Sequence, residues 1–374
     1  MKKLGLYIHI PFCIKKCRYC DFYSLSCKNT DKYVGALCDH IRKEAKSYSD
    51  CEIDTVFIGG GTPSVLSCNE LEKILATVKS SLNLTQDAEF SIEANPGTLD
   101  REKLECLKRG GVNRLSLGLQ STNDTELEAL GRIHSYGEFL ESYRLAREVG
   151  FDNINVDIMY GLPDQTVASL LETVRQVAEI QPEHISAYCL KIEENTPFFK
   201  MRDTLNLPSD ELEYEMYLSL CRELDMQGYL QYEISNFSKE GKRCAHNIKY
   251  WLSEEYIGFG PSAHSFFNGK RYYYEDSADS YISQVSEGVP KRIYEEESAI
   301  SECSAEEYLM LSLRLSDGVS LFDFKSKFGI DLLEKFPKII HYTGDFMILD
   351  DKSLRFTTKG FFVSNHILTE IILN

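Results

Sequence analysis

Between residues 4 and 190 the chain alternates short apolar, β-rich runs with helical stretches, six times over, and that rhythm leaves few folds open. The runs are 4–10 (LGLYIHI), 55–61 (TVFIGGG), 88–96 (AEFSIEANP), 114–121 (RLSLGLQS), 153–161 (NINVDIMYG) and 184–190 (HISAYCL). Helical spacing fills 31–48, 69–82, 99–109, the stretch up to Gly150, and 166–180. Strands joined through helical crossovers run parallel. The predicted core is therefore α/β, a partial (β/α)6 barrel, with functional groups gathered at the C-terminal ends of its strands. The unusual residues fall there. A cysteine cluster follows the first run and Gly59-Gly60-Gly61 the second, while Glu93, Gln120 and Asp157 lie on the third, fourth and fifth.

Past residue 205 the pattern changes. Residues 209–227 read as an amphipathic helix, and 229–294 as an irregular stretch rich in Tyr, Gly, Ser and charge. Residues 304–374 read as a helix, a short helix, two strands around Gly344-Asp345 and 354–357, and a last helix, the order of a small α+β winged-helix-like unit. The expected division is a core over 1–235, a linker region over 236–294 and a C-terminal domain over 295–374. That last segment holds 14 Asp and Glu against 8 Lys and Arg. With a net charge of −17 overall, the chain lacks the cationic character that phosphate binding needs, so no nucleic-acid partner is expected. No apolar run is long enough to span a bilayer. The opening MKKLGLYIHIPFC is interrupted by His9 and Pro11 and offers no small-residue cleavage site, so it reads as a strand rather than an export signal. A cytoplasmic protein is expected, docking on a membrane peripherally at most. Its 12 cysteines should then be mostly reduced thiols. Cys38, Cys51, Cys68, Cys106, Cys189, Cys221 and Cys303 are scattered and read as small hydrophobes.

Cys13-x3-Cys17-x2-Cys20 stands apart from these. At this cysteine frequency, and with positions taken as independent, the spacing should arise by chance about 0.01 times in the chain. Three loop thiols or a zinc site are the plain alternatives, but a structural zinc wants four ligands and no second CxxC pair lies nearby. Three thiolates in a tight loop suit a [4Fe–4S] cluster with one iron left open. The segment YIHIPFCIKKCRYCDF resembles the opening of the radical-SAM superfamily, and within it the branch around oxygen-independent coproporphyrinogen dehydrogenase. The resemblance implies S-adenosylmethionine (SAM) chelated to the open iron through its methionine amino and carboxylate groups, with one-electron cleavage of a C–S bond. Gly59-Gly60-Gly61-Thr62-Pro63 resembles the glycine motif that holds the methionine amino group, in which glycine lets backbone approach a ligand closely. By the same resemblance Gly60, Gly61, Thr62, Glu93 and Arg132 line the methionine end. Gln120 and Asp157 line the nucleoside end, and Tyr7 flanks the cluster. His9 reads equally as a site residue and as a buried structural one.

Two features depart from the dehydrogenase. Its fourth cysteine, two residues after the third, is here Phe22, and the YIHIPFC segment begins at Tyr7, leaving no room for its N-terminal substrate-binding extension. A third feature is His246-Asn247-Ile248-Lys249-Tyr250-Trp251, which contains the chain's only Trp. This HNxxYW element resembles one found in the heme chaperones related to the dehydrogenase. An imidazole is a good axial heme ligand, and Tyr250 and Trp251 could pack on a porphyrin plane. On residue types alone, His246 reads as well as a structural residue and Trp251 as core. Cys244 is an alternative ligand and His264 a weaker one. The resemblance implies heme as cargo and heme-accepting respiratory membrane proteins as partners. The alternative is decarboxylation of coproporphyrinogen III in porphyrin biosynthesis.

Overall fold

The computed structural model describes residues 1–295 and 304–373; Cys303 lies outside them. The six expected strands form as β1 (Lys2–Ile10), β2 (Cys51–Gly60), β3 (Leu84–Ala94), β4 (Arg114–Gln120), β5 (Ile154–Tyr160) and β6 (His184–Cys189). They lie side by side in chain order and all run parallel. The crossover helices start where the local chemistry demands it. Ser67 with Glu70, and Ser135 with Glu138, form reciprocal capping boxes at the starts of Cys68–Ser81 and Tyr136–Val149.

The period of two along each strand separates two chemistries. On β4, Leu115, Leu117 and Leu119 point to the helices and are fully buried in the main core. Arg114, Ser116, Gly118 and Gln120 point the other way, into the concave face of the sheet. On β5, Ile154, Val156 and Ile158 alternate in the same manner with Asn155, Asp157 and Met159. The barrel is thus apolar outside the sheet and polar within, and it stays open.

The stretch 229–294 differs from expectation. It is not irregular: Tyr256–Phe259 adds a seventh parallel strand beside β1, and His264–Phe267, Lys270–Tyr273 and Ile293–Tyr294 continue the sheet antiparallel. Asn236–Ser238 and Leu230–Gln231 extend the other edge past β6, completing 12 strands in one sheet. These strands have two to four residues each, too short for alternation to register in the sequence.

The C-terminal unit carries a small sheet of Val319–Ser320, Ser353–Phe356 and Met347–Leu349 flanked by short helices. The strand expected around Gly344-Asp345 begins at Met347. Gly344 instead turns the chain at φ 103° and donates its N–H to the Met347 carbonyl. The helix Thr358–Phe362 brings Phe362 against Tyr217 and Tyr214 of helix Asp210–Met226, with ring centroids 5.6 and 5.1 Å apart. The unit therefore closes over the open side of the barrel.

Candidate functional site

The strand Phe12–Cys13 pairs with Leu25–Ser26, which ties the cysteine loop down at both ends. The glycine turn after β2 anchors the same loop, since Gly61 donates to the Ile10 carbonyl at 2.9 Å and Thr62 to the Phe12 carbonyl at 2.7 Å. A side chain would break this seam. A Cβ at Gly61 would stand 2.7 Å from the Phe12 carbonyl oxygen, and one at Gly60, where φ is 112°, would stand 2.6 Å from the His9 ring. His9 itself is buried, with Nδ1 on the Tyr7 hydroxyl and Nε2 on the Tyr23 carbonyl. It supports the turn from below.

Cys13, Cys17 and Cys20 are free, half-buried thiols. Cys13 Sγ lies 3.5 Å from Thr62 Oγ1, and the Arg132 guanidinium donates to Cys17 Sγ at 3.5 Å. Among the described residues no three His, Cys, Asp or Glu side chains close on a single ion. The three thiols all rim one cavity of about 890 Å³, within the range of cavities that hold small molecules and cofactors. The cavity is also lined by Gly60, Gly61, Thr62, Glu93, Gln120, Arg132 and Asp157. Five different loops and strands bring these side chains together.

The wall has the character of a receptor. Arg132 donates to Asn95 Oδ1 and to the Gly118 carbonyl, both at 2.6 Å, while its buried Nε has no partner among the described residues. At Gly118 a Cβ would meet Asn95 Oδ1 at 2.8 Å, so glycine keeps this side of the cavity clear. Gln120 holds φ 79° where the β4–β5 register slips, a strained backbone of the kind that clusters at binding sites. Glu93 accepts the Gly60 N–H at 3.0 Å. Burial, with the nearby Asp157 carboxylate adding to it, pushes its carboxyl up to about 8. Burial raises Asp157 as well, against hydrogen bonds from Asn155 and Ser116. Tyr7 lies on β1, outside the lining, close enough to Glu93 for the carboxylate to help raise its phenol.

The family model of the radical SAM superfamily matches residues 7–177, and that of the HemN C-terminal domain matches residues 303–363. The heme chaperone HemW of Bacillus subtilis is 39% identical over 89% of this chain and 89% of its own length. That of Lactococcus lactis is 34% identical over 100% of this chain and 98% of its own. The chain belongs to the HemW family of the radical SAM superfamily. Among solved structures, the coproporphyrinogen III oxidase HemN of Escherichia coli shares the fold, with a TM-score of 0.85 at 22% identity over 99% of this chain and 90% of that one. Membership of the radical SAM superfamily implies a [4Fe–4S] cluster and SAM. Three thiols on one rim, an orphaned guanidinium nitrogen and a glycine cradle are a donor set that fits both.

The HNxxYW element is packed into the fold. His246 is 1% exposed, and both its ring nitrogens are taken, Nδ1 by Thr55 Oγ1 at 2.9 Å and Nε2 by the Tyr250 hydroxyl at 2.8 Å. Its ring stacks on Phe57, and burial lowers its pKa to about 3. It braces the sheet, with both ring nitrogens bonded inside the protein. Cys244 is fully buried beside the Glu89 carboxylate, and burial pushes its thiol up to about 12. Trp251 donates its indole N–H to Glu233 at 2.6 Å. His264 is exposed and stacked on Tyr273, away from the cavity lining. From this element Asn247 lines the cavity, and Phe57 under His246 does too. Sequence reasoning passed over Asn247, Arg114, Asn95 and Tyr188, all lining residues. The inward alternation on β4 was the available signal for Arg114.

Proposed function

We propose that this chain is a heme-binding radical-SAM protein of the cytoplasm that carries heme toward respiratory membrane proteins. Cys13, Cys17 and Cys20 hold the cluster. Gly60, Gly61, Thr62, Glu93 and Arg132 hold the methionine end of SAM, Gln120 and Asp157 its nucleoside end, and Tyr7 supports the cluster side. When bound, the cluster and SAM supply one-electron cleavage of a C–S bond. The residues of this chain bind and orient. Glu93, once ionised, meets an ammonium, and the Arg132 fork meets a carboxylate. Tyr188, Tyr217, Phe361 and Phe362 add an aromatic wall to the cavity. Heme enters the reading from the relatives, named heme chaperones along nearly the whole chain. One cavity, large enough for more than one group and rimmed by the three thiols, carries it structurally. Among the described residues no helix is long and apolar enough to cross a membrane, so any membrane contact would be peripheral.

The coproporphyrinogen decarboxylase alternative rests on fold likeness. Phe22, at the position of the dehydrogenase's fourth cysteine, is 69% exposed at the cavity mouth. The two readings separate in one preparation. Anaerobically reconstituted protein is titrated with heme and, in parallel, supplied with coproporphyrinogen III, SAM and reductant. A saturable heme Soret band without protoporphyrinogen formation is expected. Turnover at a catalytic rate overturns the proposal.

A further inference from the structure

The deep end of the cavity holds a cation that the reading above does not use. Arg114 opens β4 and points inward, 2% exposed. Its Nε finds no hydrogen-bond partner among the described residues. Of the groups that act on it, burial keeps Cys244 and Tyr232 protonated, and the charges are those of Glu89 and Asp157. The two carboxylates among them are engaged elsewhere. Glu89 accepts the backbone N–H groups of Ala245 and His246, both at 3.0 Å, and Asp157 accepts from Asn155 at 2.7 Å. A buried guanidinium nitrogen left without an acceptor is costly to fold around. Arg114 nonetheless lines the cavity, on the same wall as Ser116 and Asn155. The Asn247 carboxamide, also lining, makes no side-chain hydrogen bond among the described residues.

We infer that Arg114, with Asn247 beside the same cavity, is a carboxylate receptor that seats one propionate of the porphyrin at the floor of the barrel. The inference rests on the heme-binding reading and adds where the porphyrin's acid groups go. A planar two-pronged donor matches a carboxylate, and burial strengthens the bond. Phe361 and Phe362 also line the cavity and offer the macrocycle an apolar surface. SAM also carries a carboxylate, so the test separates the two sources.

Full-length, reconstituted protein is titrated with heme, with heme whose two propionates are methyl-esterified, and with SAM. Wild type is expected to bind free-acid heme about tenfold or more tightly over the ester, the effect of one charged hydrogen-bonded pair. Arg114→Met should abolish that preference and still bind SAM, with a lower Tm because Glu89 and Asp157 lose a neighbouring cation. Arg114→Lys keeps the charge without the fork and should lose most of the preference. Equal wild-type affinity for heme and ester overturns the inference while the heme reading stands. Arg114→Met that loses SAM affinity but keeps the heme preference assigns the carboxylate to SAM instead and overturns it too. If Arg114→Met fails to fold and Arg114→Lys discriminates like wild type, Arg114 is structural and the inference falls. Wild type that binds neither porphyrin contradicts the functional reading itself, and the inference with it.

Discussion

Glu93 gives the sharpest quantitative test of the site's electrostatics. Its carboxyl is buried, faces Asp157, and is held at about 8 rather than near 4.5. The single backbone N–H from Gly60 does not offset that burial. Ionising it inside the empty cavity therefore costs the folded state about 5 kcal/mol, at 1.36 kcal/mol per pH unit of displacement. The sign follows from the raised value. The protonated form suits the fold, so no penalty exists below pH 4.5; the penalty grows from there to about 8 and is complete above it. Glu93→Gln removes the titration and keeps the shape. In the cofactor-free protein the variant should gain on wild type by about 1 kcal/mol per pH unit between pH 5 and 8. The gain is somewhat less if Asp157, relieved of a like charge, ionises more readily. Denaturant unfolding across that range, with the two proteins compared at each pH, measures it. SAM binding should reverse the preference, because an ammonium beside Glu93 favours the carboxylate. Wild type should then release a proton on binding near pH 7 and Glu93→Gln should not, read by calorimetry in buffers of different ionisation enthalpy. A stability difference that stays flat from pH 5 to 8, with no proton release, would refute the reasoning.

Other outcomes follow from the same geometry. Cys17→Ser should lose the intact cluster on anaerobic reconstitution, while Cys106→Ser, whose thiol is fully buried against the Cys68 carbonyl, should keep its four irons and its absorbance. Arg132→Ala should weaken SAM binding by about tenfold or more while sparing iron content. Because the guanidinium touches Cys17 Sγ, the cluster's visible spectrum should shift as well. His246→Ala should lower stability by about 2–4 kcal/mol in denaturant unfolding, since it empties a buried ring site and strands Thr55 and Tyr250. The heme Soret band should persist; its loss at unchanged stability would restore His246 as the ligand.

The six core strands were legible because each is long, apolar on its outer face and bounded by Gly, Pro or a capped helix, as in RLSLGLQS before Asn123 caps the next helix. The site was legible for a related reason. Polar residues on the inward face of a parallel strand, such as Glu93 and Asp157, conflict with burial unless a ligand or another polar group meets them. The edge strands were not legible, because Tyr256–Phe259 and its neighbours are short and their pairing is decided by β1 and by each other rather than locally. The surroundings of His246 were not legible either. A histidine beside Tyr and Trp looks the same in sequence whether its nitrogens face a heme or, as here, Thr55 and Tyr250. The neighbouring Asn247 carried no signal of its own, since its role depends on which face of a seven-residue helix meets the cavity.

The central claim is that this chain holds heme in order to pass it on, and heme transfer tests it most directly. Protein reconstituted with its cluster, loaded with heme and supplied with SAM is mixed with a heme-free respiratory heme protein, and the Soret bands of donor and acceptor are followed. The account predicts that the donor band falls as the acceptor band rises, at a rate lost when Cys17→Ser removes the cluster. Heme that never leaves the donor, together with consumption of coproporphyrinogen III by the same preparation, would contradict it.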